Sequence, residues 1–287
     1  MKKSNKILMI LGIITCLTII GTCIYLVYNV ATNEKNDITE SNNDVNEQIK
    51  EPNTDTKEQE LEVTEEDKNI ASNLLKPFDR YKMRLLREDK LGYIYKYDKL
   101  TTENLSNDII LEVSLYKYVR ENKEIYDDAF QYALSSVNIN KDNFNKTVQS
   151  IFGNIKYENR NIAYDCAYGS AIYDEAQNNY IYSGQACGGV FLPYITSKII
   201  EVKKYNDRME VIEKIGYIGY ERIDNCSVPI PVLYNHPTEK VVVEKTSCDN
   251  RDEDILFNNN LDKLLSYKYT FKKDGTNYYF EKIERVN

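Results

Sequence analysis

The sequence predicts an α+β domain, helices first and a curved antiparallel sheet after them, carried behind an N-terminal transmembrane helix and a disordered linker. Three observations lead there. Residues 7–30 form an apolar run without a charge. Apolar residues then recur at helical spacing as far as Gly153. Beyond Gly153 the period shortens to that of strands, punctuated by turn residues. Helices followed by strands argue for an antiparallel sheet packed on the early helices.

The opening run is ILMILGIITCLTIIGTCIYLVYNV, Ile7 to Val30. As a helix it is roughly 36 Å long at about 1.5 Å per residue, enough to cross a hydrocarbon core of about 30 Å. Lys2, Lys3 and Lys6 precede it and an acidic stretch follows. The positive-inside rule then keeps the N-terminus in the cytoplasm and places the rest outside, in a single pass of the cell membrane. A cleaved signal peptide has a shorter apolar core and a small-residue cleavage site, and Asn29-Val30-Ala31 is a poor one. Lipidation at Cys23 would need a small residue just before it, but Cys23 follows Ile20-Gly21-Thr22, where Thr replaces the usual small residue, and the apolar run continues past it to Tyr28. A retained anchor is the favoured reading.

Residues 31–68 hold 13 acids against four lysines and few apolar side chains. Such a segment buries too little surface to offset the entropy of ordering and is expected to be disordered. Its charge accounts for the chain's net −8, because residues 69–287 hold 32 acids and 30 bases. No basic block is present, so no nucleic-acid partner is expected. The length of the remainder, 69–287, suits one large domain or two small ones, and it is read as one α+β domain.

At the junction of linker and domain, Thr64 to Asp67 reads as a capped helix start, and Ile70 and Leu74 share a face until Pro77. Ser106 is placed to cap a helix running to about Val119, with Ile109, Val113 and Tyr116 on one stripe. Ile125, Ala129, Tyr132 and Ala133 repeat the spacing. Phe144, Val148, Ile151 and Phe152 give the clearest stripe, and Gly153 is placed to end it. These stripes read as core, and no cofactor is expected. Strands follow. Residues 171–173 and 180–182 flank a polar tip, Tyr194 to Tyr220 turns at Tyr205-Asn206-Asp207, Val241 to Val243 is short, and a last hairpin turns at Asp274-Gly275.

Cys16 and Cys23 lie in the anchor and Cys166, Cys187, Cys226 and Cys248 outside it, an even number in an oxidising setting. Structural disulfides are expected among those four. Three connectivities are open; Cys166 with Cys187 would close the first hairpin, and Cys226 with Cys248 would bracket Ser227 to Ser247. No C-x-x-C pair supports a metal. Cys187-Gly188-Gly189 reads as a tight turn. Asp249, Asp252, Glu253 and Asp254 read as a solvated loop around Arg251 rather than a Ca²⁺ site, lacking the glycine of an EF-hand loop. Most of the 25 tyrosines read as strand residues, although some suit a glycan- or peptide-binding groove.

The closing hairpin, Tyr267 to Val286, resembles that of uncharacterised membrane-anchored extracellular proteins of Gram-positive bacteria, some with NTF2-like or cystatin-like domains. That resemblance implies a curved sheet around helices and carries no catalytic motif. A second one is carried by His236, Cys248 and Arg251, whose order is similar to that of sortase transpeptidases; it implies a surface thiol enzyme. His236 stands only twelve positions before Cys248, much closer than in that family. The favoured expectation is therefore a non-catalytic anchored domain that binds a peptide, glycan or protein, or serves structurally.

Overall fold

The computed structural model describes residues 59–82, 93–122, 136–165, 169–184, 193–222, 226–235, 248 and 252–286. The 7–30 run, most of the expected linker, the helix expected near Ile125 and the strand expected at Val241 lie outside them. Among the described residues, no helix is long and apolar enough to cross a membrane.

The first helix, α1, spans Glu65–Leu75. The Thr64 hydroxyl accepts a hydrogen bond from the Asp67 amide at 3.2 Å, and the Asp67 carboxylate accepts one from the Thr64 amide at 2.9 Å. This reciprocal capping satisfies two amides that a helix start leaves over. Pro77 falls in the 3₁₀ turn that follows, Lys76–Lys82. Leu61 to Lys68, expected to be disordered, belong to the fold. Leu61 N donates to Lys204 O at 2.8 Å, and the buried Asp67 meets Lys204 Nζ at 2.7 Å. The cap is the one expected from the sequence; what the acidic composition of the stretch hid is the bridge at Leu61 and the Lys204 partner of Asp67.

Burial alone would raise the Asp67 carboxyl, but the hydrogen bond from Lys204 and those from Thr64 outweigh it and hold it at about 2. A carboxyl held below its unfolded value stabilises the fold above about pH 4, and that contribution disappears as pH falls towards 2. Thermal melts from pH 5 to 2 should therefore lose less stability in Asp67→Asn than in the parent. Parallel curves would refute the assignment.

Helix α2, Asn107–Glu121, is capped as expected by Ser106, whose hydroxyl accepts from Ile109 N at 3.3 Å. Its burial differs from the expected single stripe. Every residue from Ile109 to Tyr116 is buried, including Glu112 and Ser114. Helix α3, Lys141–Phe152, buries the four expected apolar residues and ends at Gly153.

The strands are β1 (Lys99–Thr101), β2 (Ser136–Asn140), β3 (Ile162–Asp165), β4 (Gly169–Asp174) and β5 (Asn179–Ser183). After them come β6 (Tyr194–Lys204), β7 (Arg208–Glu221), β8 (Ile230–Tyr234), β9 (Leu265–Asp274) and β10 (Asn277–Val286). All the pairings are antiparallel. The larger sheet has the order β1-β10-β9-β7-β6, with β8 paired to β7 past the end of β9. A second sheet, β2-β5-β4-β3, replaces the expectation of a single one. Its strands are four to six residues long, too short for alternation to declare a separate sheet.

The helices join the two sheets into one core. The Phe144 ring of α3 lies 4.6 Å from that of Tyr180 in the small sheet, while Phe152 lies 5.9 Å from Phe280 in the large one. A helix layer with neighbours on both sides explains why α2 is buried around its circumference. On the opposite face of the large sheet, Ile218, Leu233, Leu256, Phe257 and Leu264 form a second cluster beneath the short helix α4, Glu253–Asn258. Gly216 permits this contact, because a Cβ there would sit 2.7 Å from the Phe257 ring.

Candidate functional site

Cys226 and Cys248 are joined by a disulfide, with their Cα atoms 5.5 Å apart. The bond closes the segment containing β8. Cys166, Cys187, His236 and Arg251 lie outside the described residues, as do Gly188, Gly189 and Asp249. The structure thus places Cys248 against Cys226, and its sulfur is spent in that bond. Asp252, Glu253 and Asp254 form the start of α4 rather than a loop, with Asp252 and Asp254 exposed to solvent as expected. The Asp252 carboxylate caps α4 by accepting from Ile255 N at 2.9 Å. Glu253 accepts hydrogen bonds from the hydroxyls of both Tyr194 and Tyr220, tying α4 to β6 and β7.

A buried polar cluster was not anticipated. Glu213 occupies the inward parity of β7 between Val211 and Ile215 and is 1% exposed. The Tyr95 hydroxyl reaches its carboxylate at 3.3 Å and the Tyr269 hydroxyl at 2.8 Å, and Tyr267 OH donates to the Tyr95 carbonyl at 2.8 Å. Burial, and after it the Glu213 carboxylate, pushes both the Tyr95 and Tyr269 phenols well above the ordinary tyrosine range. They remain neutral donors. The alternation Met209, Val211, Glu213, Ile215 carries the sequence signal, since a carboxylate on the inward face of a strand requires partners. Sealed from solvent, this network holds the 3₁₀ turn Tyr93–Lys96 to the sheet and presents nothing to a ligand.

An open concave site lies elsewhere, beside β10. A groove of about 810 Å³ is lined by Leu105, Phe152, the Gly153 to Lys156 turn, Lys272 to Asp274 of β9 and Tyr279 to Glu281 of β10. That volume falls within the range of about 300–1,000 Å³ usual for ligand sites. A β-bulge positions its rim. Phe280 and Lys282 pair with the consecutive residues Phe271 and Thr270, so Glu281 is the extra residue. The Glu281 carbonyl accepts from Thr102 N at 2.9 Å where β1 ends. Glu103, Glu281 and Thr102 are shared with a second depression of about 440 Å³ on the open face of the sheet. On its wall Thr270 is 1% exposed, and its hydroxyl has no hydrogen-bond partner.

The groove is short of catalytic machinery but rich in charge of both signs. Lys156, Lys272 and Lys273 face Glu103, Asp274 and Glu281 around an apolar floor. Among the described residues no cluster of three or more His, Cys, Asp or Glu is arranged to hold a metal. Compared with known proteins, the chain matches no family model, no curated protein and no solved structure.

Proposed function

We propose that this is a single-pass, membrane-anchored extracytoplasmic protein whose α+β domain binds a ligand without catalysing a reaction. The uncharged run from Ile7 to Val30, preceded by three lysines, carries the reading. The Cys226–Cys248 bond supports it, because disulfides persist in oxidising compartments. Engagement of Cys248 removes the thiolate that a sortase-like transpeptidase using Cys248, His236 and Arg251 requires. The mixed-charge groove beside β10 is the place where such a domain meets a peptide, glycan or protein.

Protease added to intact protoplasts is expected to release a soluble fragment by cutting between Ala31 and Glu58, upstream of the bridge at Leu61. Immunoblotting with an antibody to the C-terminal hairpin follows the fragment. A chain fully protected until the membrane is dissolved would overturn the topology.

A further inference from the structure

We infer that the groove beside β10 takes an extended polypeptide segment of another protein, added as a strand to the uncovered edge from Asn277 to Phe280. The inference rests on the binding role proposed above and names its ligand class. β1 is three residues long and pairs only with Lys282, Ile283 and Glu284. The bond from Thr102 N to Glu281 O closes that pairing. Beyond it β10 runs on to Asn277, and among the described residues no strand lies on that side. An uncovered edge offers a row of backbone donors and acceptors, which an extended peptide satisfies with its own.

The surroundings of the edge select a single strand. The groove is bounded by Thr102 and Leu105 from one segment and by Phe152 to Lys156 from another, so the edge of a second folded sheet is excluded by crowding. Phe152 and Phe280 form an apolar floor for one side chain of the incoming strand. Around that floor, Lys156, Lys272, Glu103 and Glu281 make no ion pair among the described residues. Unpaired charges of both signs suit a polypeptide with charged residues of both signs flanking an apolar one. They do not suit a uniformly anionic nucleic acid or lipid surface. A neutral glycan would leave them unused.

The test uses the full chain in lipid nanodiscs, screened against a displayed library of random linear dodecapeptides, with the best binder synthesised as the probe. Hydrogen exchange on the complex is expected to show new amide protection at Asn277 to Glu281. N-methylation of alternate probe amides should weaken binding by about tenfold or more, because each blocks a backbone bond without changing a side chain. The charge reversal Glu103→Lys with Glu281→Lys should leave the melting curve in place and change which peptides are selected. The inference is overturned if no peptide is enriched, if protection falls elsewhere, or if N-methylation has no effect. It is also overturned if chitin oligosaccharides, but no peptide, protect this edge. The protoplast assay is independent of these outcomes. A groove that fails beside an exposed domain removes only the inference, and a groove that works in a chain lying inside the cell removes only the topology.

Discussion

Replacing Phe280 by alanine is expected to destabilise the domain by about 3–5 kcal/mol, the usual loss for a buried phenylalanine. Three rings surround this one. Phe78 lies at 5.0 Å, Phe152 at 5.9 Å and Phe271 at 6.3 Å between centroids. They come from the 3₁₀ turn after α1, from α3 and from β9, so a single cavity loosens three separate packing contacts. Relaxation is limited because the same residues are held by others: Phe78 also meets Phe152 at 6.4 Å and Tyr269 at 5.6 Å. Urea unfolding followed by tyrosine fluorescence checks the value. A loss below about 1 kcal/mol would place the helix–sheet contact elsewhere, since that is the range of an ordinary surface change.

The parts of the fold that were legible in the sequence are those in which local chemistry and tertiary packing agree. Thr64, Ser106 and Gly153 mark helix ends by their own side chains or conformation, and each does so in the structure. The final hairpin is read from its turn, where Gly275 has φ 59° between aromatic runs. Less visible was α2. Its stripe of Ile109, Val113 and Tyr116 is genuine, but Ile110, Leu111 and Leu115 cover the other faces, and only a second sheet explains them. That sheet depends on β2 and β3, whose few residues carry little periodicity of their own. The groove was illegible for a different reason. It exists because β1 stops after three residues and because Glu281 bulges, and neither event leaves a mark in composition or spacing. The tyrosines divide along the same line. Tyr95, Tyr180, Tyr182, Tyr267 and Tyr269 are fully buried, so much of the aromatic wealth builds the core rather than a binding surface.

Loss of the Cys226–Cys248 bond, through Cys226→Ala with Cys248→Ala, is expected to lower stability by about 2–5 kcal/mol. The two cysteines are 22 positions apart, and closing a loop of that size restricts the unfolded chain by roughly 3 kcal/mol in the chain-entropy account. The consequence should be local as well as global. The bond encloses β8, whose Leu233 packs with Phe257 and Leu264 under α4 in the smaller cluster. That cluster has far fewer members than the main core and should open first when the cross-link is removed. Hydrogen exchange in the double variant should therefore rise in β8 and α4 before it rises in β9 or β10. Chemical denaturation measures the total, and alkylation of the parent under non-reducing conditions measures the thiols. No label is expected at Cys226 or Cys248. Rapid labelling of Cys248, slowed by His236→Ala, would show a free and activated thiolate, and the domain would then have to be read as a thiol enzyme rather than a binding module.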